Sequence, residues 1–479
     1  MRIDEQRVSQ IVERVVREMA GGTTSSAAAP STSSGSAGPV RGYSATSGIF
    51  ATPEEALAAA ELAFVKLREG GVALREQVVA VIRATALAQA EAWGRHAREE
   101  TGMGRAADKK TKNEAVAKGT PGPESLQPTV MRGDKGLHVI AGGPWGVICS
   151  ITPSTNPTAT VINNGIAMIS AGNTVVFCPH PAAQACTNRV IAELNEAIVA
   201  AGGPRNLMTA VAEPTLKTAA AIMEHPRIKI IAATGGPGVV RAAFEAKKKV
   251  FAAGPGNPPV VVDASADLAR AGRAVVNGAS FDNNLPCTGE KIGIVEQAIF
   301  NDFMAALEAA GAQILSPNEV DRLLPVVLDG DQIRRESIGQ DAVELLRRAG
   351  LSPLRGEPRL LVGLQPESSP VVQHEQLQPF LPIVRVRDFA DGLRVALQVE
   401  HGFQHTALLH SRNTDHITRF AEEMGTTITI FNGPSYAFSG DEGEGYATMT
   451  VTTPTGEGVT GPQTWTRRRH FTYSGMLGL

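Results

Sequence analysis

Short runs of β-branched and apolar residues alternate with longer Ala-, Leu- and Glu-rich segments along most of this chain. That alternation leaves few folds open. Residues 145–151 (WGVICSI), 173–178 (NTVVFC) and 227–234 (RIKIIAAT) are almost continuously apolar, as strands covered on both faces must be. Segments 157–171 and 181–201 between them carry helical patterning. A further unit starts at 258–263 (PPVVVD), and KIGIVE, LPIVRV, HTALLH and TTITIF recur later with helical spacers. Helices are also predicted over 53–69 and 74–100. Strand–helix–strand order implies parallel sheets covered by helices, the α/β class, in two domains. Two stretches break the pattern: 122–141 and 464–479, with strand-like residues and interspersed charges (TVMRGDKGLHVI, TWTRRRHFTYSG). They could pair as a protruding ribbon and serve as a subunit contact. No repeat of fixed period is visible.

The N-terminus is different in kind. In residues 1–20, Val8, Ile11, Val12, Val15, Val16 and Met19 recur at helical spacing. Asp4 and Glu5 suit the start of a helix, and Glu13 and Arg17 can pair one turn apart. Residues 21–48 are almost wholly Gly, Ser, Thr, Ala and Pro, too poor in apolar surface to order themselves. A short amphipathic helix on such a tether either packs on its own body or a second copy, or docks into another protein's groove.

Composition excludes several classes. With 479 residues, 43% hydrophobic and 19% charged, the chain can bury a sizeable core. A net charge of −3 gives no field that would recruit nucleic acid or an anionic membrane. No run of 18 apolar residues is present, so no membrane span is expected, and the charged N-terminus lacks a signal-peptide core. The four cysteines form no CxxC pair, which fits a reducing cytosol better than a disulfide framework or zinc ribbon.

Three of those cysteines, Cys149, Cys178 and Cys186, sit in apolar strands or an Ala-rich helix and read as small buried hydrophobes. Cys287 lies in SFDNNLPCTGEK (280–291), among polar loop formers, where a thiolate nucleophile could be exposed. TPSTNP (152–157) comes off a strand, and its Asn156 could present an amide to a developing oxyanion or simply close an Asx-turn. CPHP (178–181), TGGPG (234–238) and GPGNPP (254–259) are further rigid turns next to strands. Singly each is a tight turn. Together they suggest a cleft that admits close backbone approach by a nucleotide.

TPSTNP, TGGPG, GPGNPP, SFDNNLPC and HEQLQPFLPIVRV, in that order over roughly residues 50–479, resemble the aldehyde dehydrogenase superfamily. More narrowly, they resemble its CoA-acylating branch from bacterial microcompartments. The resemblance implies two Rossmann-like α/β domains and a β-ribbon oligomerisation arm. It divides the chain into an encapsulation-type helix (1–20), a linker (21–48), an NAD/CoA-binding domain (49–121 and 142–256), a catalytic domain (257–445) and the arm (122–141 and 446–479). It implies that Cys287 attacks the aldehyde, with Asn156 and the Cys287 backbone N–H holding the oxyanion, and that the thiol of coenzyme A then releases acyl-CoA. Thr152, Pro153, His180, Pro181, Thr234, Gly235, Gly236, Gly238 and Gly254 would line the nucleotide site. Glu375 would bind the nicotinamide ribose, with Leu377 nearby. Hydrolytic members carry a water-activating glutamate where this chain has Ala253, so the thioester should survive until a thiol arrives. Glu290 and His374 are the candidates for the base that deprotonates Cys287, each with a structural hydrogen-bonding role as the alternative. TRRRH (466–470) could attract CoA phosphates or form a charged ribbon edge. The expected substrate is a short aldehyde, propionaldehyde before acetaldehyde by analogy. Shell or core proteins would bind residues 1–20, and the enzyme would be a homodimer or homotetramer in a microcompartment lumen. The rival readings are a hydrolytic dehydrogenase and an inactive scaffold.

Overall fold

A computed structural model describes residues 42–475. The expected helix at 1–20 and most of the linker lie outside the described residues. In chain order the first strands are β1 (Ile49–Phe50), β2 (Thr129–Gly133), β3 (Gly136–Pro144), β4 (Val147–Thr152), β5 (Thr174–Pro179), β6 (Met208–Val211), β7 (Ile228–Thr234), β8 (Lys249–Ala253), β9 (Pro259–Val262) and β10 (Ile292–Glu296). Six of them form one sheet in the order β1-β6-β5-β4-β7-β8, parallel throughout. A second parallel sheet has seven strands. β10 and β9 lie at its centre, flanked by Phe380–Val386, Leu361–Leu364 and Gln313–Ile314 on one side and Thr406–His410 and Ile428–Phe431 on the other.

The continuous apolar runs are explained by burial on both faces. Ile148, Val175, Phe177 and Ile230 face a core built with the helices Gly71–Thr101, Pro157–Ser170 and Gln184–Ala200. Cys149, Val176, Ile231 and Ala233 face the other core, closed by Ala56, Leu57 and Ala60 of the Pro53–Glu69 helix. That helix starts at a capping box, Thr52 with Glu55, followed by Pro53, as a helix entry favours.

Strands β2 and β3 and the Thr466–Ser474 strand form the expected ribbon, antiparallel and largely exposed. The arm is smaller than expected, however. Of 446–479, Ala447 and Trp465 are buried in the core of the first sheet and Val451 in that of the second. Trp465 packs edge-on to Phe251 with ring centroids 5.1 Å apart. Residues 446–465 therefore stitch the two sheets together, and the ribbon itself begins at Thr466. The linker is also shorter than expected. Tyr43 packs on the core, and Ser47, 1% exposed, accepts at its carbonyl from Asn195 at 3.0 Å.

Candidate active site

The order of the first sheet brings four of the singled-out turns together. β5, β4, β7 and β8 are neighbours, and CPHP, TPSTNP, TGGPG and GPGNPP leave or close their carboxyl ends in that order. The chain passes from β4 to β5 on one side and later to β7 on the other. The crevice therefore opens at the point where strand order reverses, where open α/β sheets take ligands. Thr152 Oγ1 is buried there without a hydrogen-bond partner. Gly236 precedes the Pro237–Glu245 helix with no side-chain cap; Pro237 has no N–H and the Val239 N–H bonds Gly236 O at 3.0 Å, so the Gly238 N–H is the first-turn amide left for a phosphate. A Cβ on Gly236 or Gly238 would meet nothing within 4 Å, and one on Gly235 only the Val239 side chain. Thr234 places its hydroxyl 3.3 Å from that of Thr450. Exposed His180 accepts the Ala182 N–H at Nδ1 (3.1 Å), and Pro181 opens the short turn behind it. Pro153 is half-buried. Gly254 differs from its neighbours: a Cβ there would lie 2.8 Å from Pro454, so packing alone accounts for that glycine. An unpaired buried hydroxyl and an open glycine turn fit a nucleotide.

Cys287 approaches from the second sheet, on a loop between the Leu268–Ser280 helix and β10. Asp282, Asn283 and Asn284 all adopt left-handed backbone, with φ of 48°, 56° and 60°. Short polar side chains tolerate that region best, which explains the DNN sequence. Each of the three is anchored. Asp282, fully buried, accepts Lys109 Nζ at 3.1 Å, Lys112 Nζ and the Arg105 N–H (2.7 Å), and its own N–H donates to Asp108 (2.9 Å). Asn283 donates to Gly339 O and Asp341, each at 2.9 Å. Asn284 donates to Glu290 O at 2.9 Å. Beneath it, fully buried Lys291 gives its three N–H groups to Asn284 O (2.6 Å), Asn284 Oδ1 (2.9 Å) and Pro286 O (3.0 Å). Cys287 itself stays part-exposed, whereas the other three cysteines are buried. Burial pushes its thiol up to about 12, helped by the Glu375 carboxylate and opposed by the ammonium groups of Lys291 and Lys112.

Asn156 reaches the same place from the first sheet. It stands at the N-cap of the Pro157–Ser170 helix, yet its side chain makes no capping bond. The Asx-turn alternative is therefore not what the structure adopts. Its Oδ1 accepts from Lys112 Nζ, and its amide nitrogen lies 3.2 Å from Thr155 Oγ1. The lysine comes from the Ala106–Gly119 helix, which sequence patterning does not reveal. Its buried face carries Asp108, Lys109, Lys112 and Asn113 and turns apolar only near its end, at Val116 and Ala117.

Glu375 is half-buried, and burial raises its carboxyl to about 7 against the pull of Lys291. The Glu375 carboxylate and the Lys291 ammonium act on the Cys287 thiol in opposite senses, the first raising it and the second lowering it. Leu377 contributes its backbone: its carbonyl accepts the Gly339 N–H at 2.7 Å, and Gly339 in turn braces Asn283 and Gly104. Glu290 makes the structural contacts its alternative reading called for. Its Oε1 takes the Ser435 N–H at 2.8 Å, and both carboxylate oxygens lie 2.1–2.2 Å from where a Cβ on Gly278 would stand. It faces the Leu268–Ser280 helix, filling space only a glycine leaves open. His374 closes the short Pro370–Gln373 helix. Another histidine was missed because it opens an apolar strand segment. His405 is fully buried, its Nδ1 is 2.8 Å from Thr406 Oγ1, and its Nε2 has no partner. The ring and the Cys287 carbonyl flank Gly256 so closely that a Cβ there would lie 3.0 Å from one and 2.8 Å from the other. Burial, helped by the Lys291 charge, lowers the imidazole to about 4, so it is neutral at pH 7.

The model of the aldehyde dehydrogenase family matches residues 51–442. The chain belongs to the aldehyde dehydrogenase family. This aldehyde dehydrogenase is 43% identical to the acetaldehyde dehydrogenase (acetylating) EutE of Escherichia coli (strain K12), over 98% of each chain. It is 42% identical to the propanal dehydrogenase (CoA-propanoylating) of Salmonella typhimurium (strain LT2), over 88% of this chain and 91% of the other. Among solved structures it matches the Rhodopseudomonas palustris propionaldehyde dehydrogenase with bound CoA and an acylated cysteine. There the identity is 39% and the TM-score 0.88, covering 90% of this chain and 98% of that one.

Proposed function

We propose that this aldehyde dehydrogenase is NAD-dependent and CoA-acylating, and converts a short aldehyde such as propionaldehyde or acetaldehyde to its acyl-CoA. The observation that carries the reading is the convergence of Cys287 and Asn156 on one crevice that has Ala253 where hydrolytic relatives have glutamate. Relatives of the same length act on both aldehydes, so chain length is left to a C2–C4 substrate series.

The roles follow from the geometry. Thr152, Thr234, Gly235, Gly236 and Gly238 would hold the nucleotide, with Glu375 on the nicotinamide side. When bound, NAD⁺ supplies the hydride acceptor. Cys287 loses its proton and attacks the aldehyde carbon as the thiolate. Asn156 Nδ2–H and the Cys287 N–H stabilise the charge that develops on the carbonyl oxygen, a contribution typically of about 10²–10³ in rate per donor. Oxidation leaves an acyl thioester on the sulfur. The CoA thiolate then attacks the acyl carbon and expels Cys287 as thiolate. Exchange between two thiols is near balance, so the reaction runs in both directions.

The Glu375 carboxyl, whose charge acts on the Cys287 thiol, is the one observation that favours hydrolysis. NADH formation from NAD⁺ and propionaldehyde, with and without coenzyme A, separates the two. Steady turnover that needs coenzyme A supports acylation, whereas equal turnover without it, with free acid as product, overturns it. Residues 1–20 are proposed to recruit the enzyme to a microcompartment. Their deletion should leave turnover intact and abolish co-purification with shell proteins. The ribbon, which exposes Val130, Met131, Phe471 and Tyr473, is proposed as the subunit contact of a homodimer or homotetramer.

A further inference from the structure

We infer that Lys112 is a positioning residue for the oxyanion site, fixing which edge of the Asn156 amide faces the aldehyde. The inference rests on the role proposed for Asn156. An asparagine amide presents two donors at one end and an acceptor at the other, and rotation by half a turn exchanges them. Only the nitrogen end can stabilise an oxyanion. A lysine ammonium has donors and no acceptor, so the atom facing Lys112 must be the Asn156 oxygen. One N–H of the amide points toward Thr155 Oγ1 at 3.2 Å, which leaves the other for the substrate.

The lysine is itself held. It is 7% exposed, and its Nζ also donates to Asp282 in the Cys287 loop. One ammonium group thus ties the oxyanion donor, on the first sheet, to the nucleophile's loop, on the second. Nothing else within hydrogen-bond reach of Asn156 Oδ1 fixes it among the described residues. Asp282 keeps a second cation, Lys109 at 3.1 Å, so removing Lys112 frees the amide while the loop retains a counter-ion.

A double-mutant cycle tests this with Lys112→Met, Asn156→Ala and the pair, in full-length enzyme. Lys112→Met is expected to lower kcat for propionaldehyde oxidation by about tenfold to hundredfold, with the aldehyde KM within about threefold. Alkylation of Cys287 by iodoacetamide forms no oxyanion; it reads the loss of the Lys112 charge at the thiol on its own and should fall by less than kcat does. In the Asn156→Ala background the Lys112→Met effect should shrink to under about threefold. Lys112→Gln, which retains a donor, should lose less, and serves in the same cycle if the methionine variant does not fold. A Lys112→Met loss that persists undiminished in the Asn156→Ala enzyme, or an unchanged kcat in Lys112→Met, overturns the inference alone. An unchanged kcat in Asn156→Ala overturns the oxyanion role on which it stands.

Discussion

The two loops that meet in the crevice are built on opposite plans. The Cys287 loop is anchored at each of residues 282, 283 and 284, by a buried aspartate between two lysines, by carbonyls, and by a lysine whose three protons are all engaged. The 234–238 turn has few anchors: a threonine–threonine contact, then glycines with open space where side chains would be. The difference follows from what each must meet. A nucleophile must stand at a fixed distance from one carbon, and small misplacements are costly. A turn proposed to admit NAD and then the nucleotide end of coenzyme A needs backbone that either can approach.

The comparison breaks most visibly at the sulfur. Cys287→Ala should reduce acyl-CoA formation by on the order of 10⁵-fold or more, with NADH production as the readout. Retention of even a few per cent would mean that another group forms the acyl link. Next, Asp282→Ala strips the counter-charge from two buried lysines and puts alanine into left-handed backbone. It should cost roughly 3–5 kcal/mol in chemical denaturation. A loss below about 1 kcal/mol would show that the anchoring is cosmetic. Protonation gives the third test. The Cys287 thiol is pushed up to about 12, above its ordinary range, so the reactive thiolate fraction of the free enzyme grows as pH rises toward that value. Iodoacetamide alkylation should therefore climb about tenfold per pH unit between 7 and 9. A plateau below pH 8 would place the thiol near neutrality instead. Smallest is the change on the open side. Gly236→Val should raise the KM for NAD and for coenzyme A about tenfold, while stability shifts by no more than about 0.5 kcal/mol. An unaffected coenzyme A KM would mean that the two nucleotides use different turns.

The open side was the easier half to find in the sequence. Strands such as RIKIIAAT and NTVVFC announce themselves by composition, and the turns after them carry Gly and Pro that a strand would reject. Cys287 and Asn156 stood out for the same reason, as polar residues beside rigid turns, and the structure links the two through Lys112 and Asp282. The support of the Cys287 loop was not. Periodicity detects apolar stripes, and the Ala106–Gly119 helix buries aspartate, lysine and asparagine, which pattern reading assigns to a solvated face. Lys291 and His405 each stand beside an apolar strand, where neighbours mask them. Glu290 carried two readings, base or structural hydrogen-bonder, because proximity in sequence says nothing of direction; its carboxyl points at Gly278 and accepts the Ser435 N–H. Residues 446–465 were assigned to the arm by the family resemblance, beyond the 464–479 stretch that the residues themselves suggest, whereas buried Trp465 shows that the chain is still inside the body there.

Three successive residues with positive φ also set limits for anyone wishing to redesign this enzyme. At 282–284 only aspartate, asparagine and glycine sit without strain, so a saturation library there should return little beyond the parental DNN. New aldehyde preferences would have to be recruited from walls of the crevice that carry no such handedness, leaving the reacting atom where it is.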